Sequence, residues 1–127
     1  MVVADTHTLV WWAGTPEKLS AAGRAALEGE RVAFAAITCM EIAVLVRRNR
    51  IELAVPVDEW LDAVLALPSV TLLPLNREIA VLAGQFNDDL VRDPSDRIIV
   101  ATAIHHGLPL VTADHKIAAS GLVRTIW

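Results

Sequence analysis

The chain has a single cysteine, Cys39, in 127 residues. One cysteine makes no internal disulfide, which fits a reducing cytoplasm, and no Cys/His spacing of the zinc-binding kind is present. Cys39 reads as a small buried packing residue rather than a nucleophile. There is no long apolar run. The longest stretch without Asp, Glu, Lys or Arg, Ile98 to Ala113, is broken by His105, His106, Gly107 and Pro109, and falls short of the roughly 20 apolar residues of a membrane span. Asp5 arrives before any basic region followed by an apolar one, so no secretory leader is expected. No P-loop occurs, and Thr6 and His7 follow Asp5 where an Asp-x-Asp phosphotransferase motif would need a second acid. Repeats, low-complexity tracts and linkers are also missing. Positive charge is not in excess: 11 Lys and Arg stand against 15 Asp and Glu, for a net charge of −4, so bulk charge does not announce a nucleic-acid partner.

What is present is apolar material. Hydrophobic residues make up 54% of the chain and charged residues 20%, enough for one compact, well-buried domain and too apolar for disorder. Short apolar runs alternate with amphipathic stretches. Val2-Val3-Ala4, Val32 to Ile37, Val70 to Leu73, Leu108 to Thr112 and Val123 to Ile126 read as strands. Ser20 caps a helix to Gly29. Thr38 begins a helix ending at Arg47, Arg48, Asn49 and Arg50. Val57, Trp60, Leu61, Val64 and Leu65 keep helical spacing up to Pro68, as do Ile79, Leu82, Ala83, Phe86 and Leu90. Asp93-Pro94 opens a helix that Gly107 stops. Such alternation predicts an α/β fold with a mainly parallel sheet of four or five strands flanked by helices.

In such a sheet, ligands bind beyond the carboxyl ends of the strands. Asp5 and Asp114 fall at strand ends, and Glu41 and Asp96 in first helical turns, so the four acids can meet at one end of the sheet. Setting these four aside leaves 11 acidic residues against 11 basic ones, so the excess of negative charge resides in them. Each has a local reading. Thr38-Cys39-Met40-Glu41 has the form of a capping box. In Asp93-Pro94-Ser95-Asp96, Asp93 suits a cap and Asp96 the helix dipole. Asp5 and Asp114 suit caps or turns. Taken together, the four favour a metal site, because crowded carboxylates resist ionising unless a cation offsets them. All-oxygen ligands select Mg²⁺ or Mn²⁺.

These residues resemble the motifs of PIN domains. Val2-Val3-Ala4-Asp5-Thr6-His7 looks like the opening motif, and Thr38-x-x-Glu41 the second. Asp93-Pro94-Ser95-Asp96-Arg97 and the apolar run to Ala103 look like the third, as found in a branch of VapC toxins, and Leu110-Val111-Thr112-Ala113-Asp114 the fourth. The likeness runs from about residue 2 to residue 118 and includes Trp11-Trp12 and Glu59-Trp60-Leu61. Gly84 to Arg92 is longer than the stretch expected before the Asp-Pro motif. The resemblance implies one PIN domain over residues 1–127, a three-layer sandwich, and a toxin endoribonuclease of the cytoplasm that cleaves RNA with divalent metal. It further implies a homodimer and a VapB-like antitoxin that neutralises it. Asp5, Asp96 and Asp114 would hold Mg²⁺ or Mn²⁺, Glu41 would complete the catalytic set, and Thr112 would orient a carboxylate or a water. The expected pocket is open, acidic at its floor and apolar at its rim, with an antitoxin Arg or Lys laid against the acids.

Other residues carry two readings each. Thr6 follows Asp5 as a helix start. Asp93 is a cap or a fifth metal acid. His7 and His115 neighbour site acids and suit proton transfer or nothing, while His105 and His106 suit a helix end. Arg47, Arg48 and Arg50 suit RNA phosphates or a solvated helix end. Arg97 and Lys116 suit phosphate steering or ion pairing. The tryptophans, Trp11, Trp12, Trp60 and Trp127, suit base stacking or packing. Two competing functions remain: another Mg²⁺-dependent phosphoryl-transfer enzyme, and a degenerate PIN domain that only binds a partner.

Overall fold

A computed structural model describes residues 1–127. Five strands, β1 (Val2–Ala4), β2 (Val32–Ala35), β3 (Val70–Leu73), β4 (Leu110–Val111) and β5 (Thr125–Ile126), form one sheet in the order β3-β2-β1-β4-β5. Every pairing is parallel, with Val3 opposite Ala33 on one side and opposite Leu110 on the other. Seven helices cover it: α1 (Thr6–Gly14), α2 (Ala21–Gly29), α3 (Ile37–Arg47), α4 (Val57–Leu65), α5 (Arg77–Gln85), α6 (Pro94–His105) and α7 (His115–Ser120).

The strands are apolar on both sides because both sides are covered. Val2, Ala4, Val32, Phe34 and Val111 face one core with Leu9 of α1, Leu27 of α2, Ile42 of α3 and Val64 of α4. The alternate residues Val3, Ala33, Ala35 and Leu110 face a second core with Ile99, Val100 and Ala103 of α6 and Ile117 of α7. This is the period-two division a pleated strand imposes. Helix α5 packs outside α6 through Ile79 and Ala83 against Ala101. The arrangement is the parallel sheet flanked by helices that the sequence pattern predicts, and the three-layer sandwich that the resemblance implies. No helix is long and apolar enough to cross a membrane.

Several boundaries differ from expectation, each for a local reason. The expected strand Val32 to Ile37 ends at Ala35, because the chain turns at Ala36 straight into α3. The apolar spacing that suggested a helix to Leu90 breaks at Phe86, whose extended backbone ends α5, and Leu90 is exposed. The expected strand Leu108 to Thr112 pairs only over Leu110–Val111, Pro109 having no N–H to give to a ladder. Thr125–Ile126 is all that pairs of Val123 to Ile126. Helix α7 is six residues long, too short for its periodicity to register in the sequence.

Phe34 lies in a central strand with no exposed surface. Phe34→Ala should lower the unfolding free energy by about 3–5 kcal/mol, the usual cost of deleting a buried aromatic ring. Urea denaturation should report this as a lower midpoint at unchanged slope. A loss under about 1 kcal/mol would mean that this core is not packed as described.

Candidate active site

The sheet order puts a crevice at the carboxyl end between β1 and β4. From β1 the chain proceeds outward through β2 to β3, then returns to the other side of β1 for β4 and β5. Side chains immediately after β1 and β4 therefore project into the gap where the connections diverge. Asp5 follows β1 and Thr112 follows β4. The Thr112 hydroxyl donates to Asp5 Oδ2 at 2.7 Å. The same oxygen of Thr112 accepts the Asp114 amide at 3.0 Å. One buried threonine thus joins the two strand-end acids.

The other acids arrive on helix starts. Asp5 is the N-cap of α1, its Oδ1 accepting the Thr6 amide at 2.7 Å. Asp114 caps α7, with Oδ1 accepting the amides of Lys116 and Ile117. Asp93 caps α6 by accepting the Asp96 amide at 3.1 Å, which turns Asp96 into the first turn. Glu41 sits one turn into α3. The Thr38-to-Glu41 segment is not a capping box: α3 begins at Ile37, its N-cap is Ala36, and no side chain caps it. Glu41 instead accepts the Thr6 hydroxyl at 2.7 Å, and Thr38 meets that same hydroxyl at 3.0 Å. The helix-starting role expected of Thr6 is real, yet its hydroxyl serves the site.

Asp5, Glu41, Asp93, Asp96 and Asp114 line one pocket of about 500 Å³. Asp93 is thus both a cap and a member of the acidic group. No Lys or Arg lines this pocket. The four ion pairs of the molecule, Met1–Glu30, Arg24–Glu28, Arg77–Glu78 and Arg97–Asp88, all lie elsewhere. The electrostatic consequence falls hardest on Asp96, whose pKa is pushed up to about 7 by burial first, then by the charges of Asp5, Asp93, Glu41 and Asp114. Burial also raises Asp5 and Glu41 above the ordinary carboxylate range, against the hydrogen bonds from Thr112 and Thr6 that favour their ionised forms. No three His, Cys, Asp or Glu side chains are drawn tightly enough together to form a finished metal cage. The donor chemistry nevertheless fits a hard divalent cation: carboxylate oxygens gathered in one pocket that no lysine or arginine lines.

The remaining sequence candidates separate. Arg97 does not face the pocket. Its Nη1 donates to the carbonyls of Ala83 at 3.0 Å and Phe86 at 2.8 Å, its Nη2 pairs with Asp88, and its Nε reaches the Arg92 carbonyl. With its side chain 12% exposed, Arg97 is the staple of the long segment before Asp93, not a free phosphate contact. Arg47 and Arg48 are exposed at the end of α3 and do not line the pocket. Lys116 is exposed in an adjoining depression that also borders Asp96 and Asp114. His7 lines the acidic pocket and His115 does not. The rim is less apolar than expected, with Trp11 and Ala113 the only hydrophobic residues lining the pocket. Trp11 packs at a tilt against His7 and Trp127, with ring centroids 5.8 Å and 6.0 Å away, and opens on its other side into a more apolar groove with Val10, Ile51, Leu53 and Trp60.

Comparison with known proteins places this geometry in context. The PIN-domain family model matches residues 2–121. Over 99% of its length the chain is 36% identical to Ribonuclease VapC22 of Mycobacterium tuberculosis, covering 98% of that protein. A toxin–antitoxin complex from Klebsiella pneumoniae contains a chain with a similar fold, at TM-score 0.66 and 24% identity over 94% of this chain and 91% of that one. VapBC2 from Rickettsia felis, bound to a promoter DNA fragment, has another, at TM-score 0.69 and 16% identity over 98% and 97% of the two chains.

The raised pKa of Asp96 has a measurable sign. A proton held more tightly in the folded state stabilises the fold at low pH, and that contribution is lost as pH rises from the ordinary 3.8 through about 7. In metal-free buffer, Asp96→Asn should therefore gain thermal stability relative to the parent as pH rises across this window, and the gain should level off above it. Melting temperatures that differ by a constant amount at every pH would contradict the crowding described here.

Proposed function

This chain belongs to the PIN-domain family, and on that premise we propose that it is an Mg²⁺- or Mn²⁺-dependent endoribonuclease, the toxin of a VapBC-type pair. The observation that carries the reading is a pocket of five carboxylates that no lysine or arginine lines. The near full-length likeness to a ribonuclease supports RNA as the substrate. Asp5, Asp96 and Asp114 would hold the cation. When bound, such a cation offsets developing negative charge on phosphate oxygens and makes water more acidic.

The chain's own residues supply the rest. Thr112 fixes Asp5 and the Asp114 backbone in one arrangement, so the acids need little reorganisation when the phosphodiester enters. Glu41 is raised in pKa by burial, yet it accepts the Thr6 hydroxyl. That balance suits it to take a proton from the attacking water. Lys116 borders the acids from outside and is positioned for a neighbouring phosphate. Arg47 and Arg48 lie farther round the surface, where they suit only a longer RNA. We propose a cytoplasmic homodimer as the working form. The alternative of a partner-binding module without activity loses support from the full set of acids.

For purified protein on RNA, excess EDTA should abolish cleavage, and Asp5→Asn should lower it by about 100-fold or more, as removal of a central electrostatic or proton-transfer group does. Added Mg²⁺ or Mn²⁺ should restore the parent but not the variant. Undiminished cleavage in chelator would overturn the metal-dependent reading.

The same pocket suits inhibition by a VapB-like antitoxin. A partner's Arg can donate two parallel hydrogen bonds to paired carboxylates, while the groove on the far side of Trp11 offers apolar area. In a complex with the product of a neighbouring short reading frame, neutralising the basic residues of that partner's C-terminal tail should restore RNase activity. If the tail can be removed altogether without loss of inhibition, the partner blocks the enzyme by another route.

A further inference from the structure

Two buried hydroxyls, Thr6 in the wall of the acidic pocket and Thr38 next to it, have no part in holding the cation. Thr6 is 2% exposed and Thr38 is fully buried. Thr6 carries two donors, and each goes to a different acid. Its amide serves Asp5 at 2.7 Å and its hydroxyl serves Glu41 at 2.7 Å. An ionised carboxylate only accepts, so the Thr6 hydroxyl proton lies toward Glu41. The Thr38 hydroxyl, 3.0 Å from Thr6, then donates to Thr6, the one side chain it meets. The chain of hydrogen bonds is therefore oriented from Thr38 through Thr6 to Glu41. No other side chain bonds Glu41, and it is in no ion pair.

We propose that Thr6, backed by Thr38, is a positioning residue that holds Glu41 by one carboxylate oxygen and leaves the other free to accept a proton from the reacting water. The proposal rests on the ribonuclease reading above. It places the proton transfer on Glu41 Oε2, since Oε1 is the oxygen that the Thr6 hydroxyl engages. The geometry also separates the two duties of Thr6. Replacing its hydroxyl leaves its amide on Asp5, so the cation-holding side of the pocket keeps its support. The β-branched side chain restricts the hydroxyl to few rotamers, and serine preserves the donor while losing only the methyl packing.

The test compares the parent, Thr6→Val, Thr6→Ser and Thr38→Val for RNA cleavage, for Mn²⁺ affinity by calorimetry and for stability in urea. Thr6→Val should lower kcat by about 10–100-fold, the scale of a lost orienting partner, with KM and Mn²⁺ affinity within about threefold of the parent. Thr6→Ser should recover most of that loss, and Thr38→Val should fall between. Parental kcat in Thr6→Val overturns the inference. So does a loss that tracks Mn²⁺ affinity, or a serine variant as poor as the valine one. If Thr6→Val is unfolded, Thr38→Val decides: an unchanged kcat overturns the oriented chain. An active parent with an unaffected Thr6→Val refutes this inference alone, whereas a parent that cleaves no RNA refutes the ribonuclease reading together with it.

Discussion

Like charges crowded into one pocket repel, and five carboxylates meet at the end of this sheet without a lysine or arginine among them. Each ionised acid raises the cost of ionising the next. Asp96 bears most of this, since Asp5, Asp93, Glu41 and Asp114 all act on it in addition to its burial. A fold that only needed helix caps would not bring them to one place. Four of the acids cap or begin helices, and those helices converge because the parallel sheet reverses its direction of growth beside β1. The caps and the convergence come from the same local geometry.

Inside the pocket, neutral hydroxyls bond the crowded acids where no lysine or arginine does. Thr112 donates to Asp5, and Thr6 donates to Glu41. These bonds favour the ionised forms and fix their directions without cancelling their charge, which leaves the negative field available for an external cation. Arg97 is the exception that supports the point. It lies next to Asp96 in sequence, yet its guanidinium is spent on the carbonyls of Ala83 and Phe86 and on Asp88. It thereby anchors the segment leading to Asp93 and keeps its own charge out of the pocket.

Much of this was legible in the sequence. Val2–Ala4 and Val70–Leu73 form strands over the expected residues, because unbroken apolar runs bounded by polar residues leave little choice. Asp5, Glu41, Asp96 and Asp114 could be placed at one end of the sheet from their positions at strand ends and helix starts alone. What local reading could not resolve was where side chains go across the fold. Thr38 and Glu41 have capping-box spacing, but both turn to Thr6, 32 and 35 residues away. The partners of Arg97 run from Ala83 in α5, 14 residues back, through the segment between α5 and α6 that Arg97 itself secures. Phe86 continued the helical spacing of α5 because it is needed in the α5–α6 core, and not because the helix continues to it. A hydroxyl next to a strand-end acid was the one available signal for Thr6, and a helix start explained it equally well.

The central claim is that the acidic pocket exists to take up a cation, and the proton held by Asp96 gives it a direct thermodynamic signature. A carboxyl with a pKa of about 7 is half-protonated at that pH, and a cation that needs its charge must displace the proton. Calorimetric titration of Mn²⁺ into the intact protein at about pH 7, in buffers of different ionisation enthalpy, reads that displacement directly. Saturable binding with net proton release, vanishing by about pH 9 where the carboxyl is already ionised, is the predicted result. An absence of binding, or binding that releases no proton at about pH 7, would contradict the account.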